Sequence, residues 1–470
     1  MIKRVLTGAA LLGTIVSAQA ADMSVSTPYP EAPNVKAPIV SVYDWTGFYL
    51  GINAGVGLGR NRTRHVIPAV SADSLYLQPQ GGFGGGQIGY NWQTRSAFGP
   101  LVFGVEADIQ GAGLRDSFTS VVPLPGVAYS QKLDWFGTVR GRLGNANGPV
   151  LRYVTGGYAY GSVNTSITEG GLPAFGSGNR LQGGWTIGSG VEASLGGNWT
   201  GKIEYLYLNL GNKTDAFTAL AVPQTVSTEI REKIFRVGLN YRIGGNSAYV
   251  PAAVADWSGF YLGGNFGSGM ARDRSTLTTA PASAINERFN LAPSGFIGGA
   301  QAGYNWQAAN WVYGIETDIQ GSSQRDNRTC ILSCSPALFA AYDAKLPWFG
   351  TVRGRLGYSV GSTLFYATGG FAYGNIQTNI NFTNATLVNI SGSKAGWTVG
   401  AGIETPFTLL GLLGPNWTTK TEYLYVDLGS VTSTPFVAGG ATLIASSGVK
   451  EHIYRTGVNY HFNSPVIAKY

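Results

Sequence analysis

The decapeptide WFGTVRGRLG stands at residues 135–144 and again, letter for letter, at 348–357. Along an extended chain its side chains alternate between two faces. Thr138, Arg140 and Arg142 fall on one face, and Trp135, Val139 and Leu143 fall on the other. A sheet built from such strands carries a charged face and an apolar face. The chain has to accommodate both, and it has to do so twice.

The repetition extends to the whole chain. DWTGFYLG at 44–51 returns as DWSGFYLG at 256–263, and GYNW at 89–92 returns at 303–306. GVEADIQG at 104–111 becomes GIETDIQG at 314–321, and TGGYAYG at 155–161 becomes TGGFAYG at 368–374. GWTIGSGVE at 184–192 returns as GWTVGAGIE at 396–404, and NWTGKIEYLYLNLG at 198–211 as NWTTKTEYLYVDLG at 416–429. RVGLNY at 236–241 becomes RTGVNY at 455–460. The offset stays between 210 and 219, so each repeat is a domain-sized unit, far longer than a solenoid or propeller repeat. The division is a signal peptide over 1–20, a Pro-rich leader over 21–43, repeat 1 over 44–243, a linker over 244–255, repeat 2 over 256–463 and a tail over 464–470.

The signal peptide is read from Lys3 and Arg4, the apolar run Val5 to Val16, and the small-residue site Ala18-Gln19-Ala20. Its removal takes the formal charge from +7 to +5, which gives no case for nucleic acid. No later stretch has the roughly 18 apolar residues of a spanning helix. Charged residues make up only 12% of the chain, about half of what a soluble domain carries.

Each repeat contains eight segments with a period of two, in repeat 1 near 48–59, 81–93, 101–114, 134–146, 150–164, 183–195, 198–211 and 233–243. Their connections alternate between a few residues and about twenty, the rhythm of an outer-membrane barrel with tight turns at one end and long loops at the other. The alternation collects Glu106, Asp108, Arg140, Arg142, Glu192, Lys202, Glu204 and Arg236 on one face in repeat 1. Repeat 2 reproduces the set with Glu316, Asp318, Arg353, Arg355, Glu404, Lys420, Glu422 and Arg455. Arg or Lys aimed at the lipid midplane costs about 2–4 kcal/mol each, so these faces are expected to line a lumen and pair there as a charge network. Gln87, Asn53, Asn91 and Asn240 sit beside them. Trp92, Trp135, Trp185, Trp199, Tyr205 and Tyr207 cluster toward strand ends, where interfacial girdles belong. A soluble sandwich also alternates, but the export signal, the girdles and the loop rhythm favour a membrane barrel.

At these residues the chain resembles the alphaproteobacterial outer-membrane immunogenic β-barrel family, the RopB-like proteins. The resemblance rests on WTGFYLG, GYNW, WFGTVRGRLG, the YLY strand, VGLNY, the leader and the PVIAKY ending. It covers nearly the whole mature chain, with one repeat matching one family domain. It implies an outer-membrane location, a surface-exposed structural role, and in some members porin-like or haem-binding activity.

The expected fold class is all-β, two tandem eight-stranded antiparallel up-and-down transmembrane barrels, with one sixteen-stranded barrel as the alternative. An eight-stranded lumen is filled by side chains, whereas sixteen strands leave an aqueous channel. Four acids against four bases suit a filled, internally paired lumen. The expected function is an integral outer-membrane protein with a structural and surface role. A porin-like channel for small hydrophilic solutes is the alternative, and a haem receptor or adhesin a third reading. No GxSxG, HExxH or phosphate-loop motif appears, so no catalytic residue, metal site or cofactor is expected and the chain is read as not an enzyme. Of the histidines, His65 is assigned to a loop and His452 and His461 to the last strand. Cys330 and Cys334 form either a loop disulfide or two free thiols. The expected partners are outer-membrane lipid, lipopolysaccharide and other envelope components, with the oligomeric state open.

Overall fold

A computed structural model describes residues 43–462, apart from 69–70, 98, 120–126, 169–179, 220, 245–253, 281–285, 330–339, 383–384, 408–412 and 439–440. The signal and leader segments, the C-terminal tail, and Cys330 and Cys334 lie outside the described residues.

The first repeat forms β1 (Gly47–Gly59), β2 (Asn61–Ile67), β3 (Ser71–Leu77), β4 (Gln80–Ser96), β5 (Gly99–Thr119), β6 (Ala128–Asn147), β7 (Val150–Thr168), β8 (Arg180–Gly196), β9 (Trp199–Ala219) and β10 (Val222–Ile243). The second forms β11 (Gly259–Ala280), β12 (Asn286–Leu291), β13 (Ser294–Ala308), β14 (Trp311–Thr329), β15 (Ala340–Val360), β16 (Thr363–Phe382), β17 (Ala385–Pro406), β18 (Trp417–Thr432), β19 (Phe436–Ala438) and β20 (Ala441–His461). In each repeat eight antiparallel strands pair in chain order, and the last closes on the first, β10 on β1 and β20 on β11. The chain is therefore two eight-stranded barrels. Closure leaves no ring strand with an unpaired edge, which is the condition for a sheet to stand in lipid.

Local sequence explains the tight turns. Gly148, Gly197 and Gly361 each hold φ between 55° and 58° at the first residue of a two-residue connection. That left-handed position matches the twist of the flanking strands and is open to glycine at no steric cost.

The faces are inverted relative to a soluble protein. Val105, Ile109, Val139 and Leu143 are about half exposed on the outside, while the charged side chains between them are buried. Trp199 and Tyr207 lie eight residues apart on β9, and Trp417 and Tyr425 repeat that spacing on β18. Eight residues of tilted strand span about 20 Å along the membrane normal, close to the height of a barrel's apolar band. Trp199 packs against Tyr241, and Trp417 against Tyr460, at the tight-turn rim; Trp185 packs against Tyr207, and Trp397 against Tyr425, at the other rim.

The strands run well beyond the second rim. β5, β9 and β10 have 21 or 22 residues, where about 9–11 cross a bilayer. The hairpin β2–β3 pairs with β10 in this distal part, so His65, expected in a loop, lies in a strand. A bulge between Leu133 and Trp135, opposite one between Gly111 and Leu114, re-phases the alternation of β6 and turns Leu133 inward beside Leu114.

The two barrels meet through their outer walls in a pseudo-two-fold contact. Tyr205 stacks on Tyr454 at 5.4 Å, and their counterparts in the other repeat, Tyr423 and Phe235, pack at 5.3 Å. Tyr205 thus sits in the inter-barrel contact and not in a girdle. Arg60 pairs with Asp326 across the interface, and its counterpart Arg272 donates 2.8 Å to the Gly59 carbonyl. Arg152 donates 3.0 Å to the Pro406 carbonyl. This reciprocity is that of an isologous dimer, here within one chain.

Because Val139 faces outward midway between the rims, Val139→Arg is expected to lose about 2–4 kcal/mol of folding stability in lipid vesicles. Urea unfolding followed by tryptophan fluorescence measures it. An unchanged midpoint would place this face outside the hydrocarbon.

Candidate functional site

The sixteen charged residues singled out in the sequence all point into the two lumens and are buried. Neighbouring strands bring them together through register. Glu106 lies opposite Arg140, Glu192 opposite Lys202, and Glu204 opposite Arg236, with Glu316–Arg353, Glu404–Lys420 and Glu422–Arg455 as the counterparts.

In the first barrel Arg140 sits at the centre. It pairs with Glu106, with Asp108 at 3.0 Å and with Glu204 at 3.0 Å, and its Nε donates 2.8 Å to Thr138. Thr138 in turn donates 2.7 Å to Asp108. Arg236 bridges Glu204, Asp108 and Glu106 at 2.5–3.2 Å. Lys202 holds Glu106 at 2.9 Å. Arg142 reaches Glu192 at 2.8 Å and Glu106 at 3.5 Å. Thr200 and Asn240 donate to the remaining Glu192 oxygen at 2.5 and 2.8 Å. No acid in this set stands without a cation.

The second barrel repeats the arrangement. Arg353 pairs with Glu316, with Asp318 at 3.0 Å and with Glu422 at 3.1 Å. Arg455 holds Asp318 at 2.8 Å and Glu422 at 2.7 Å, Lys420 holds Glu316 at 2.7 Å, and Arg355 holds Glu404 at 2.8 Å. One substitution distinguishes the two. Where the first barrel has Arg242, packed over Tyr43 and Trp45, the second has His461, whose Nε2 lies 3.3 Å from Glu404.

Four tyrosines belong to these networks and had no signal in the alternation of charge. Tyr49 donates 2.8 Å to Glu106 and Tyr153 donates 3.0 Å to Glu204, with Tyr261 and Tyr366 as counterparts on Glu316 and Glu422. Their rings fold over inward-facing glycines. A Cβ on Gly89 would lie 2.3 Å from the Tyr49 oxygen, and one on Gly190 would lie 2.6 Å from that of Tyr153. The GYNW and GSGVE motifs therefore carry glycine where a tyrosine must cross the lumen.

Layers of other character lie on either side. Toward the tight turns, Trp45 is buried among Tyr43, Val102, Ala146, Leu151 and Tyr153, and its indole donates 3.1 Å to the Gly148 carbonyl. Trp257 takes the same place in the second barrel and donates 3.1 Å to Ser359. This is the tryptophan of the repeated DW motif, and it lies before the strand begins. Toward the distal end, Phe83, Leu114, Leu133, Phe136, Leu206 and Leu208 form an apolar layer across the first barrel. Phe349, Leu424, Val426 and Ile453 belong to the corresponding layer of the second. Beyond it lie Glu232, bonded by Asn61 at 3.0 Å, and Glu451, bonded by Gln324 at 2.7 Å. His65 is buried with both ring nitrogens engaged, by Tyr129 at 2.8 Å and Gln224 at 2.6 Å, so neither is open to a haem iron.

Two stretches, residues 8–242 and 243–462, each match the family model described as an outer membrane protein beta-barrel domain. The 31 kDa outer-membrane immunogenic protein of Brucella melitensis biotype 1 is 37% identical over 220 residues, covering 45% of this chain and 86% of that protein. A 22 kDa outer membrane protein of Rhizobium leguminosarum bv. viciae is 33% identical over 181 residues, 38% of this chain and 67% of that protein. The 25 kDa outer-membrane immunogenic protein of Brucella melitensis biotype 1 is 30% identical over 240 residues, 51% of this chain and 96% of that protein. About half of the chain thus matches most of each relative. The chain belongs to the outer membrane protein β-barrel family as a tandem duplication, and its location is the cell outer membrane.

Arg140→Met removes one of the two arginines shared by Glu106, Asp108 and Glu204, leaving Arg236 to hold all three in a buried lumen. The expected loss is about 3–5 kcal/mol, the usual result of removing one partner from a buried pair. Urea titration of the refolded protein, read by heat-modifiable gel mobility, measures it, and Arg353→Met should match. A loss below about 1 kcal/mol, the range of an exposed pair, would mean that water already solvates the network.

Proposed function

We propose that this tandem family member is a structural and surface-presenting protein of the cell envelope, whose barrels are rigid closed anchors and not passages. The observation that carries this reading is the succession of filled layers in each lumen. An indole plug, a network in which every acid meets a cation, and an apolar layer follow one another along the axis. An ion crossing the apolar layer would shed its hydration without compensating ligands. The network acids are held by arginine and lysine, which makes them counter-ions instead of acid–base groups.

The long strand extensions on the side away from the tight turns project outward from the cell in this reading, since tight turns belong to the periplasmic side. They present the connections between strands at the surface, where other envelope components would meet them. The apolar belt contacts outer-membrane lipid, with lipopolysaccharide in the outer leaflet.

In planar bilayers the full-length protein is expected to give no stable unitary conductance. Phe136→Ala combined with Leu208→Ala, which thins the apolar layer of the first barrel, should raise leak conductance above that baseline while leaving the heat-dependent gel shift intact. Large, long-lived channels from the unsubstituted protein would overturn the proposal.

A further inference from the structure

The repeats share a short motif that the alternation of faces leaves aside. Leu77-Gln78-Pro79 stands before β4, and Leu291-Ala292-Pro293 stands before β13. Proline has no N–H to give a neighbouring strand, so the ladder is interrupted there. Each interruption lies at the base of a distal hairpin, β2–β3 in the first barrel and the outer part of β11 with β12 in the second. Part of the break is repaired locally. Asp116 accepts 2.7 Å from the Gln78 N–H, and Asp326 accepts 2.8 Å from the Ala292 N–H.

Each break is also met by an arginine of the other barrel. Arg272, buried, donates 2.8 Å to the Gly59 carbonyl, 3.5 Å to the Pro79 carbonyl and 3.4 Å to the Gln78 side chain. Its counterpart Arg60 pairs with Asp326, the acid that holds Ala292. Charge crosses the wall at the same depth. A Cβ on Gly59 would collide with the Glu232 carboxylate, so glycine lets that buried acid lie against the backbone that Arg272 grips. Among the described residues, the cation acting on Glu232 is Arg272 and the cation acting on Glu451 is Lys233, each from the opposite barrel. The central networks differ in this respect, because the ion pairs of Arg140, Arg236, Arg353 and Arg455 all stay within their own barrel.

We propose that the distal ends of the two barrels form one cooperative unit, in which each hairpin is seated by an arginine of the other barrel, while the membrane belts are ordered separately by their own networks. A guanidinium suits the task because its fork of N–H groups can satisfy carbonyls that a broken ladder leaves over. Arg60 and Arg272 are positioning residues: loosening one hairpin releases the arginine at its base, and with it a support of the other. The coupling holds in either orientation of the barrels. Only its exposure at the cell surface rests on the reading given above, and there it makes the two repeats one presented surface instead of two.

The test is hydrogen–deuterium exchange of the full-length protein in detergent micelles, read by mass spectrometry of its peptides, on samples that show the heat-dependent gel shift. Arg272→Met is expected to speed exchange in β2 and β3 of the first barrel about ten- to hundredfold, the scale of one lost charge-assisted hydrogen bond. Arg60→Met should do the same in β12 and at Ala292 of the second barrel. In both variants the central segments 137–142 and 350–355 should keep their rates. Lys450→Met, whose ion pair with Asp427 stays in its own barrel, should leave the first barrel's hairpin unchanged. Unchanged rates in the opposite hairpin, changes confined to the substituted repeat, or an equal rise in the central segments would each overturn the proposal. Arg60 is partly exposed, so Arg60→Met decides by the same criteria where Arg272→Met gives no heat-shifting species. Conductance of the same samples separates the two readings. Closed barrels without a cross-barrel effect refute the coupling alone, and barrels that conduct refute the anchor.

Discussion

Every other feature of this molecule depends on the charge network inside each barrel. Arg140 and Arg353 are nearly inaccessible, and each touches three carboxylates from neighbouring and opposite strands. Stripping water from such groups costs several kcal/mol per ion, and only near-complete pairing offsets it. Pairing of that quality demands fixed geometry. Asp108 on β5, Arg140 on β6, Glu204 on β9 and Arg236 on β10 come from different arcs of the ring, so their contacts span the lumen. The network therefore selects a narrow closed barrel over an open one. A wider ring would carry these groups apart and let water between them.

The same constraint orders the layers above and below. A charged layer in an otherwise apolar tube is stable when its neighbours exclude water without offering competing partners. Trp45 and Trp257 do this at one end, each donating its indole proton to the rim of its own barrel. The leucine and phenylalanine layer does it at the other. Tyr49 and Tyr153 join the layers, being aromatic on the ring and hydrogen-bonding at the tip. Their passage across the wall is why glycine recurs at Gly89 and Gly190.

Much of this architecture is legible in the chain because a strand reports its two faces directly. Arg140 and Arg142 two residues apart, with Val139 between them on the opposite face, state both the register and the medium. What the alternation does not carry is anything that breaks its parity or lies outside it. Leu133 enters the lumen only because a bulge shifts the phase of β6. Trp45 precedes the first strand. β2 and β3 read as loop because NRTRHVI and SADSLYL are too polar and short to announce a buried face, yet His65 is buried there. The inter-barrel contact is hidden for another reason. Tyr205 and Phe235 face outward like any lipid-facing residue, and nothing in the sequence distinguishes a wall that meets lipid from one that meets a second barrel.

Duplication then explains the form of that contact. Two copies of one barrel offer each other the same wall, so any favourable pair arises twice, as Tyr205 with Tyr454 and Tyr423 with Phe235. Once fused, each copy was free to change alone. The network is the same in both apart from Arg242 and His461, while the contact positions differ: Leu58 faces Met270, Phe235 stands where the second copy has Tyr454, and Arg152 where it has Phe365. Conservation inside and drift outside follow from the energetics. A change to one lumen charge strands its partners in a dry site, whereas a change on the shared wall exchanges one apolar contact for another. The asymmetry that results, with Arg60 reaching an acid of the second barrel and its counterpart Arg272 reaching carbonyls of the first, belongs to the paired barrels and to neither copy alone.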